Sequence, residues 1–262
     1  MEKFQTVTYE IHNPKIKNRV SFAVLADLHG NEFGKENQQL LEEIEKYAPD
    51  AILIAGDMVV RMEPATLGTA GKLLGTLAQR YPVFYGMGNH ETRMKAKEHI
   101  YRNEYLEYEK TLRQQGIQVL ANEKKPVSLA GNSFMINGLE LPLEYYHKPF
   151  SPKLSGEKME ELMGKAASDT INILLAHNPK YGKTYFNWGA DLILSGHYHG
   201  GVLRFSRHVG AISSQFIPFP RYCCGDFYQG HQCMVVSAGL GEHTVPIRIH
   251  NPRELVFIDM KP

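Results

Sequence analysis

The run Ser195–Gly201, SGHYHGG, follows the apolar stretch ADLIL and sets two histidines, one residue apart, where a buried strand ends. A lone histidine there reads as a hydrogen-bonded core residue. A pair followed at once by two glycines points to a ligand cluster. Four earlier apolar runs end in residues of the same chemistry: DLH (Asp27, His29), GD (Asp57), GNHE (Asn89, His90, Glu91) and AHNP (His177). With His197 and His199 they offer carboxylate, amide and imidazole donors and no thiol. Such a mixture suits Mn, Fe, Zn or Co better than an all-oxygen Mg or Ca cage, and the donors are numerous enough for two ions.

Each residue also has an ordinary reading in isolation. Asp27 and Asp57 fit turn or cap positions, Asn89 fits a left-handed turn between Gly88 and His90, and His177 fits a satisfied core histidine. Their shared place at the ends of successive apolar runs favours ligation. Asn178 and Pro179 read as structural, stopping one element and starting the next. Glu91 reads either as support for a neighbouring histidine or as a charge at a helix N-terminus. His12, His99, His147, His208 and His250 lack a comparable context and read as surface or core residues.

The elements that must position these groups are legible from periodicity. VTYEI (7–11) alternates like a half-buried strand, and VSFAVLAD (20–27) and AILIAGD (51–57) are β-rich runs ending in a carboxylate. ENQQLLEEIEKYAPD puts Leu40, Leu41, Ile44 and Tyr47 on one helical face, with Pro49 closing the segment. A second helix is expected across 64–80, a strand in PVFYG, and a helical face from Ile100, Tyr101, Tyr105, Tyr108 and Leu112. INILLAHNP and ADLILSGHYHGG repeat the strand-then-polar-loop pattern. GGVLRF, CMVVSAG, PIRIH and ELVFIDM make the C-terminal third strand-rich. Alternating strands and helices imply an α/β core, in which ligand sites lie beyond the carboxyl ends of strands. No linker, repeat or low-complexity tract divides residues 1–262, so one domain is expected.

Composition limits the function classes. With 262 residues, a formal charge of +1 and no dense basic run, the chain gives no reason to expect a stable nucleic-acid partner. No apolar run approaches the ~18 residues of a membrane span, and the N-terminus does not read as a signal peptide, so a cytoplasmic location is expected. Three cysteines, Cys223, Cys224 and Cys233, are expected as reduced thiols.

The five blocks, in this order, resemble the calcineurin-like metallophosphoesterase superfamily, with the match running from Asp27 to His199. That resemblance implies a four-layer αββα sandwich, two mixed β-sheets flanked by helices, with a dimetal site at the C-terminal edge of the strands. It implies that Asp27, His29 and His199 hold one metal and Asn89, His177 and His197 the second, that Asp57 bridges both, and that His90 sits over the substrate. The cofactors would be two divalent ions, manganese first and then iron, zinc or cobalt. The chemistry would be attack of hydroxide on phosphorus, with His90 protonating the leaving oxygen or orienting phosphate as a cation. GHYHGG and the late GLGEHTVPIR element are similar to one bacterial branch, with Tyr198 in place of the usual threonine and Val202 in place of the usual glutamine, both expected at the rim. The branch implies a nucleotide- or lipid-linked phosphodiester or pyrophosphate as substrate, with phosphomonoesters or a non-catalytic scaffold as alternatives, and peripheral membrane association as a possible trait. Its oligomeric state is left open. Arg221 and Arg248 are candidate substrate contacts. FIPFPRYCCGDFYQG (216–230) is either an ordered packed loop or a lip at the site. The pair in SGHYHGG would then serve two different metals, both rings projecting to one side from extended backbone.

Overall fold

The central runs VSFAVL, AILIA, INILLA and LILS are apolar at nearly every position and buried throughout, which requires both faces to be covered, and the architecture supplies that cover. A computed structural model describes residues 3–96, 100–148, 150–213, 215–242 and 247–262. Within it β1 (Phe4–His12), β2 (Val20–Leu25), β3 (Ala51–Ala55), β4 (Val83–Gly86), β5 (Gln118–Leu120) and β12 (Arg253–Lys261) form one sheet, in the order β1-β12-β2-β3-β4-β5. The second sheet has the order β10-β11-β9-β8-β7-β6, from β6 (Glu123–Leu129), β7 (Asn132–Leu139), β8 (Ile171–Ala176), β9 (Leu192–Ser195), β10 (Gly225–Gln229) and β11 (Gln232–Val236). β2 to β5 run parallel, as do β7, β8, β9 and β11, while β12 against β2, β6 against β7 and β10 against β11 are antiparallel.

Period-two alternation divides each strand between two cores. In β2, Phe22 and Val24 face the second sheet, where they meet Phe134, Ile173, Leu175 and Leu194. Ala23 and Leu25 face outward against α1 (Gln38–Tyr47), α2 (Ala65–Ala78) and α4 (Arg102–Gln114) through Leu40, Leu74 and Tyr105. Beyond the second sheet, Leu174, Ile193 and Met234 pack on α5 (Gly156–Met163) and α6 (Gly182–Trp188) through Met159, Tyr185 and Phe186. The result is the four-layer αββα sandwich, with an apolar cluster at each of its three interfaces.

The chain departs from the sequence-based expectation in several places. GGVLRF and the described part of PIRIH (247–250) form no continuous strand: Leu203 bridges Ile249 and Arg204 bridges Gly210, each in isolation. Their exposed Phe205, Ile247 and Ile249 explain this, because only one face of each run is covered. Ile100 is exposed ahead of α4 rather than on its buried face, while Tyr105, Tyr108 and Leu112 are buried as the helical spacing implies. His99 lies outside the described residues. The β6–β7 hairpin has no counterpart in the periodicity reading, because β6 is a largely exposed edge strand with Pro126 at its centre. The cysteines are free and buried.

The two sheets are held face to face by Phe22 and Phe134, whose rings meet edge to face with centroids 5.8 Å apart. Phe134→Ala should lower unfolding free energy by ~3–5 kcal/mol, read as a shift in the urea midpoint with an unchanged slope.

Candidate metal centre

Parallel strands end on the same side, so the loops after β2, β3, β4, β8 and β9 converge at one edge of the sandwich. Backbone bonds stitch them together: Asp27 N–H to Gly56 C=O (3.0 Å), His29 N–H to Asp57 C=O (3.2 Å), and Gly196 N–H to His177 C=O (3.1 Å). Asp27 and Asp57 follow β2 and β3, Asn89 and His90 open the short α3 (Asn89–Lys95) after β4, His177 follows β8, and His197 and His199 follow β9.

These side chains gather in one cluster. His29 Nε2 and His199 Nε2 lie 3.2 Å apart, and each faces Asp27 Oδ1, at 3.8 Å and 3.3 Å. On the other side His177 Nε2 is 3.0 Å from Asp57 Oδ2, with His197 in the same group. Asp57 also groups with His29 and His90, so it stands between two donor sets. Asn89 Oδ1 is buried without a hydrogen-bond partner among the described residues, an arrangement a buried carbonyl oxygen tolerates when a cation can take its lone pair.

Neighbouring groups orient the donors. His177 Nδ1 donates to Ala55 C=O at 2.7 Å, which leaves the Nε2 lone pair to face the cluster. Both oxygens of Asp27 accept the His197 N–H (3.1 and 3.0 Å), and Asp57 Oδ1 accepts the His90 N–H (2.9 Å). A Cβ at Gly88 would overlap the Asp57 carboxylate, and one at Gly196 the Asp27 carboxylate, so glycine is required at both positions. Glu91 makes no hydrogen bond or ion pair to a histidine among the described residues. Its buried carboxylate accepts backbone N–H bonds from Asp57 (3.0 Å), Met58 (2.8 Å) and Gly88 (3.1 Å), and the Tyr85 hydroxyl (2.7 Å). Burial and the Asp57 charge push its carboxyl up to about 7, against those four donors.

The backbone at the site differs from the extended path expected for GHYH. Asp27, His29, Asp57, His197 and His199 all have left-handed φ, between 49° and 67°. Both histidines of the pair reach the cluster through that twist, and the intervening Tyr198 is buried, 2% exposed, rather than at the rim. Such conformations cost ~1–3 kcal/mol each and persist where the surroundings impose them.

His90 accepts the Arg61 N–H on Nδ1 at 3.0 Å, so its proton resides on Nε2. Burial drives its pKa down to about 3, although Asp57 pulls the other way, so the ring is neutral and offers a hydrogen bond rather than a positive charge. A cleft of about 780 Å³ opens over the cluster. Neither candidate substrate arginine lines it. Arg221 is exposed and lies over the Tyr222 ring, while Arg248 sits behind His199, donating to Ala238 C=O and Gly241 C=O. Instead Arg61, Arg93, Tyr146, His147 and Lys148 line the cleft. They come from three segments and carry no periodic or motif signal; their one sequence cue is proximity to GD and GNHE for the two arginines. In the 216–230 segment, Tyr222, Cys223 and Cys224 are buried, Phe216 and Phe219 are exposed, and 225–229 is β10.

The fold and the convergence of donors define an α/β sandwich with a site suited to divalent ions at one edge. Residues 20–201 match the calcineurin-like phosphoesterase family, to which this chain belongs. Among its relatives, Cj0846 of Campylobacter jejuni, an uncharacterized metallophosphoesterase, is 26% identical over 96% of this chain and 62% of its own length. The phosphodiesterase YaeI of Escherichia coli is 28% identical over 83% of this chain and 73% of its own. The chain spans about half the length of another relative, F40B5.2 of Caenorhabditis elegans (28% identity, 92% of this chain, 48% of the relative). The solved 5'-nucleotidase precursor of Thermus thermophilus shares the fold, with a TM-score of 0.50 and 15% identity over 86% of this chain and 50% of that one. No helix among the described residues is long and apolar enough to cross a membrane.

Two outcomes follow from the protein groups alone. Burial opposes a charge on His177, but Asp57 and Asp27 outweigh it and hold its pKa up at about 10. Because that lies above the unfolded value of ~6.5, the stabilisation is full below ~6.5 and is lost as pH rises through about 10. Thermal melts of metal-stripped protein should therefore fall across that window, and His177→Asn should flatten the slope. Glu91→Ala strands four buried donors at ~1–3 kcal/mol each; chemical denaturation should show a large loss of stability, partly restored in Glu91→Gln.

Proposed function

We propose that this chain is a two-metal phosphohydrolase acting on a phosphodiester or phosphoanhydride of a nucleotide- or lipid-linked substrate. The observation that carries the reading is Asp57 between two donor sets, beside a buried Asn89 carbonyl oxygen that no described protein group satisfies. In this reading Asp27, His29 and His199 hold one ion, Asn89, His177 and His197 the other, and Asp57 is shared. Manganese is the ion we take first, ahead of iron, zinc or cobalt; the mixed oxygen and imidazole donors suit this group of ions. Bound there, two divalent ions would polarise phosphoryl oxygen and lower the pKa of water.

The chain's own groups do the rest. With only two aspartates opposing two dications, the site keeps net positive charge and attracts a phosphate. Asn89 contributes an oxygen without cancelling that charge. The Nε2–H of His90 donates to a phosphoryl or leaving-group oxygen, its tautomer held by the Arg61 N–H. The kinship with a relative named as a phosphodiesterase favours the diester class over monoesters.

The test is hydrolysis of bis-(p-nitrophenyl) phosphate by metal-stripped protein before and after adding Mn²⁺, with p-nitrophenyl phosphate as the monoester arm. Turnover should require Mn²⁺, disappear in Asp57→Ala, and fall ~10²–10³-fold in kcat in His90→Ala, the usual cost of removing one donor to a developing charge. Metal-independent turnover, or an Asp57→Ala variant as active as wild type, would sink the reading.

A further inference from the structure

One wall of the cleft carries three cations, Arg61, Arg93 and Lys148, none of which makes an ion pair among the described residues. Elsewhere exposed cations such as Arg19, Arg80 and Arg113 are paired with carboxylates. Of the acidic residues in the cleft, Asp57 belongs to the donor cluster and attracts Arg93 without forming an ion pair with it among the described residues, Glu242 is already engaged by Arg253 and Arg248, and Glu63 pairs with none of the three. Burial and then Arg61 depress the Arg93 guanidinium; burial, Arg93 and Arg61 do the same to Lys148. Like charge thus faces like charge here, against the pull of Asp57 on Arg93. Arg93 Nε is buried and makes no hydrogen bond among the described residues, so packing does not use it either.

All three are anchored close to the metal centre. Arg93 lies three residues after His90 on α3, hence on an adjoining patch of helix surface. The Arg61 backbone N–H binds the His90 ring, and Lys148 follows two residues after Tyr146, whose ring lies 5.1 Å from that of His197. Lys148 is also set over the Phe216 ring at 5.1 Å, which holds the chain of the lysine at the mouth of the cleft. Guanidinium groups suit phosphate oxygens in particular, through paired N–H donors.

We propose that Arg61, Arg93 and Lys148 form a second anion subsite, which takes a phosphate group of the substrate adjoining the one that is cleaved. The proposal rests on the metal-centre reading above and narrows it to substrates carrying two neighbouring phosphates. Occupation of the subsite relieves the repulsion among the three cations, so binding energy is available to a bisphosphate and not to an isolated phosphate.

Calorimetric titration of Mn²⁺-loaded protein with methylphosphonate and with methylenediphosphonate, at one fixed free Mn²⁺ concentration, tests this without requiring turnover. Arg61 and Lys148 are exposed, so the double variant R61Q/K148Q keeps the fold. It should weaken the bisphosphonate by ~tenfold or more relative to methylphosphonate, the scale of a lost hydrogen bond to a charged group. Arg93→Gln should move the ratio the same way. An unchanged ratio, or equal losses for both ligands, overturns the subsite. Bis-(p-nitrophenyl) phosphate turnover, measured on the same samples, separates the two ideas. A ratio that collapses in the variants while wild type shows no turnover keeps the subsite and retires the hydrolase.

Discussion

Parallel strand pairing is the constraint on which the site depends. β2, β3 and β4 in one sheet and β8 and β9 in the other all release their chains at the same edge. Five connections therefore meet in a space that would otherwise bury unsatisfied backbone groups. The chain resolves this by bonding loop to loop, and the carboxylates of Asp27, Asp57 and Glu91 accept N–H groups that the ladder no longer serves. Ligand geometry and loop closure are thus the same set of hydrogen bonds.

Glu91 shows how local and global demands combine. As the third residue of α3 it accepts the Gly88 N–H, an ordinary helix-start contact. The same carboxylate reaches the N–H groups of Asp57 and Met58 on the neighbouring loop, so the start of one helix fixes the left-handed turn of another segment. Burial and Asp57 raise this carboxyl, while the Tyr85 hydroxyl, backbone donors and His177 draw it down, which couples helix, loop and centre.

Much of this was legible in the sequence because it is carried by strong local signals. Continuous apolar runs such as AILIA and INILLA have no stable place except a sheet covered on both faces, and donors directly after such runs must lie at its edge. The helical faces of Leu40, Ile44, Tyr105, Tyr108 and Leu112 were equally plain. What escaped is set by tertiary contact. The wall of Arg61, Arg93 and Lys148 is assembled from three segments, and a cation in a loop has the same local signature whether it faces a cleft or bulk water. Tyr198 reads as a rim residue only if GHYH is extended; left-handed backbone on both sides turns its ring inward. GGVLRF and PIRIH have strand-like composition, but strand identity needs a continuous partner, and they find only single bridges.

The overlap that a Cβ at Gly88 or Gly196 would create has a consequence for anyone moving this centre to another protein. Grafting the seven donor side chains onto a similar sandwich would not reproduce it, because the aspartates occupy volume that only an absent methyl leaves open. The empty positions belong to the recipe as much as the ligands do. A transplanted site carrying alanine at either position would be forced to displace a carboxylate before any ion arrived.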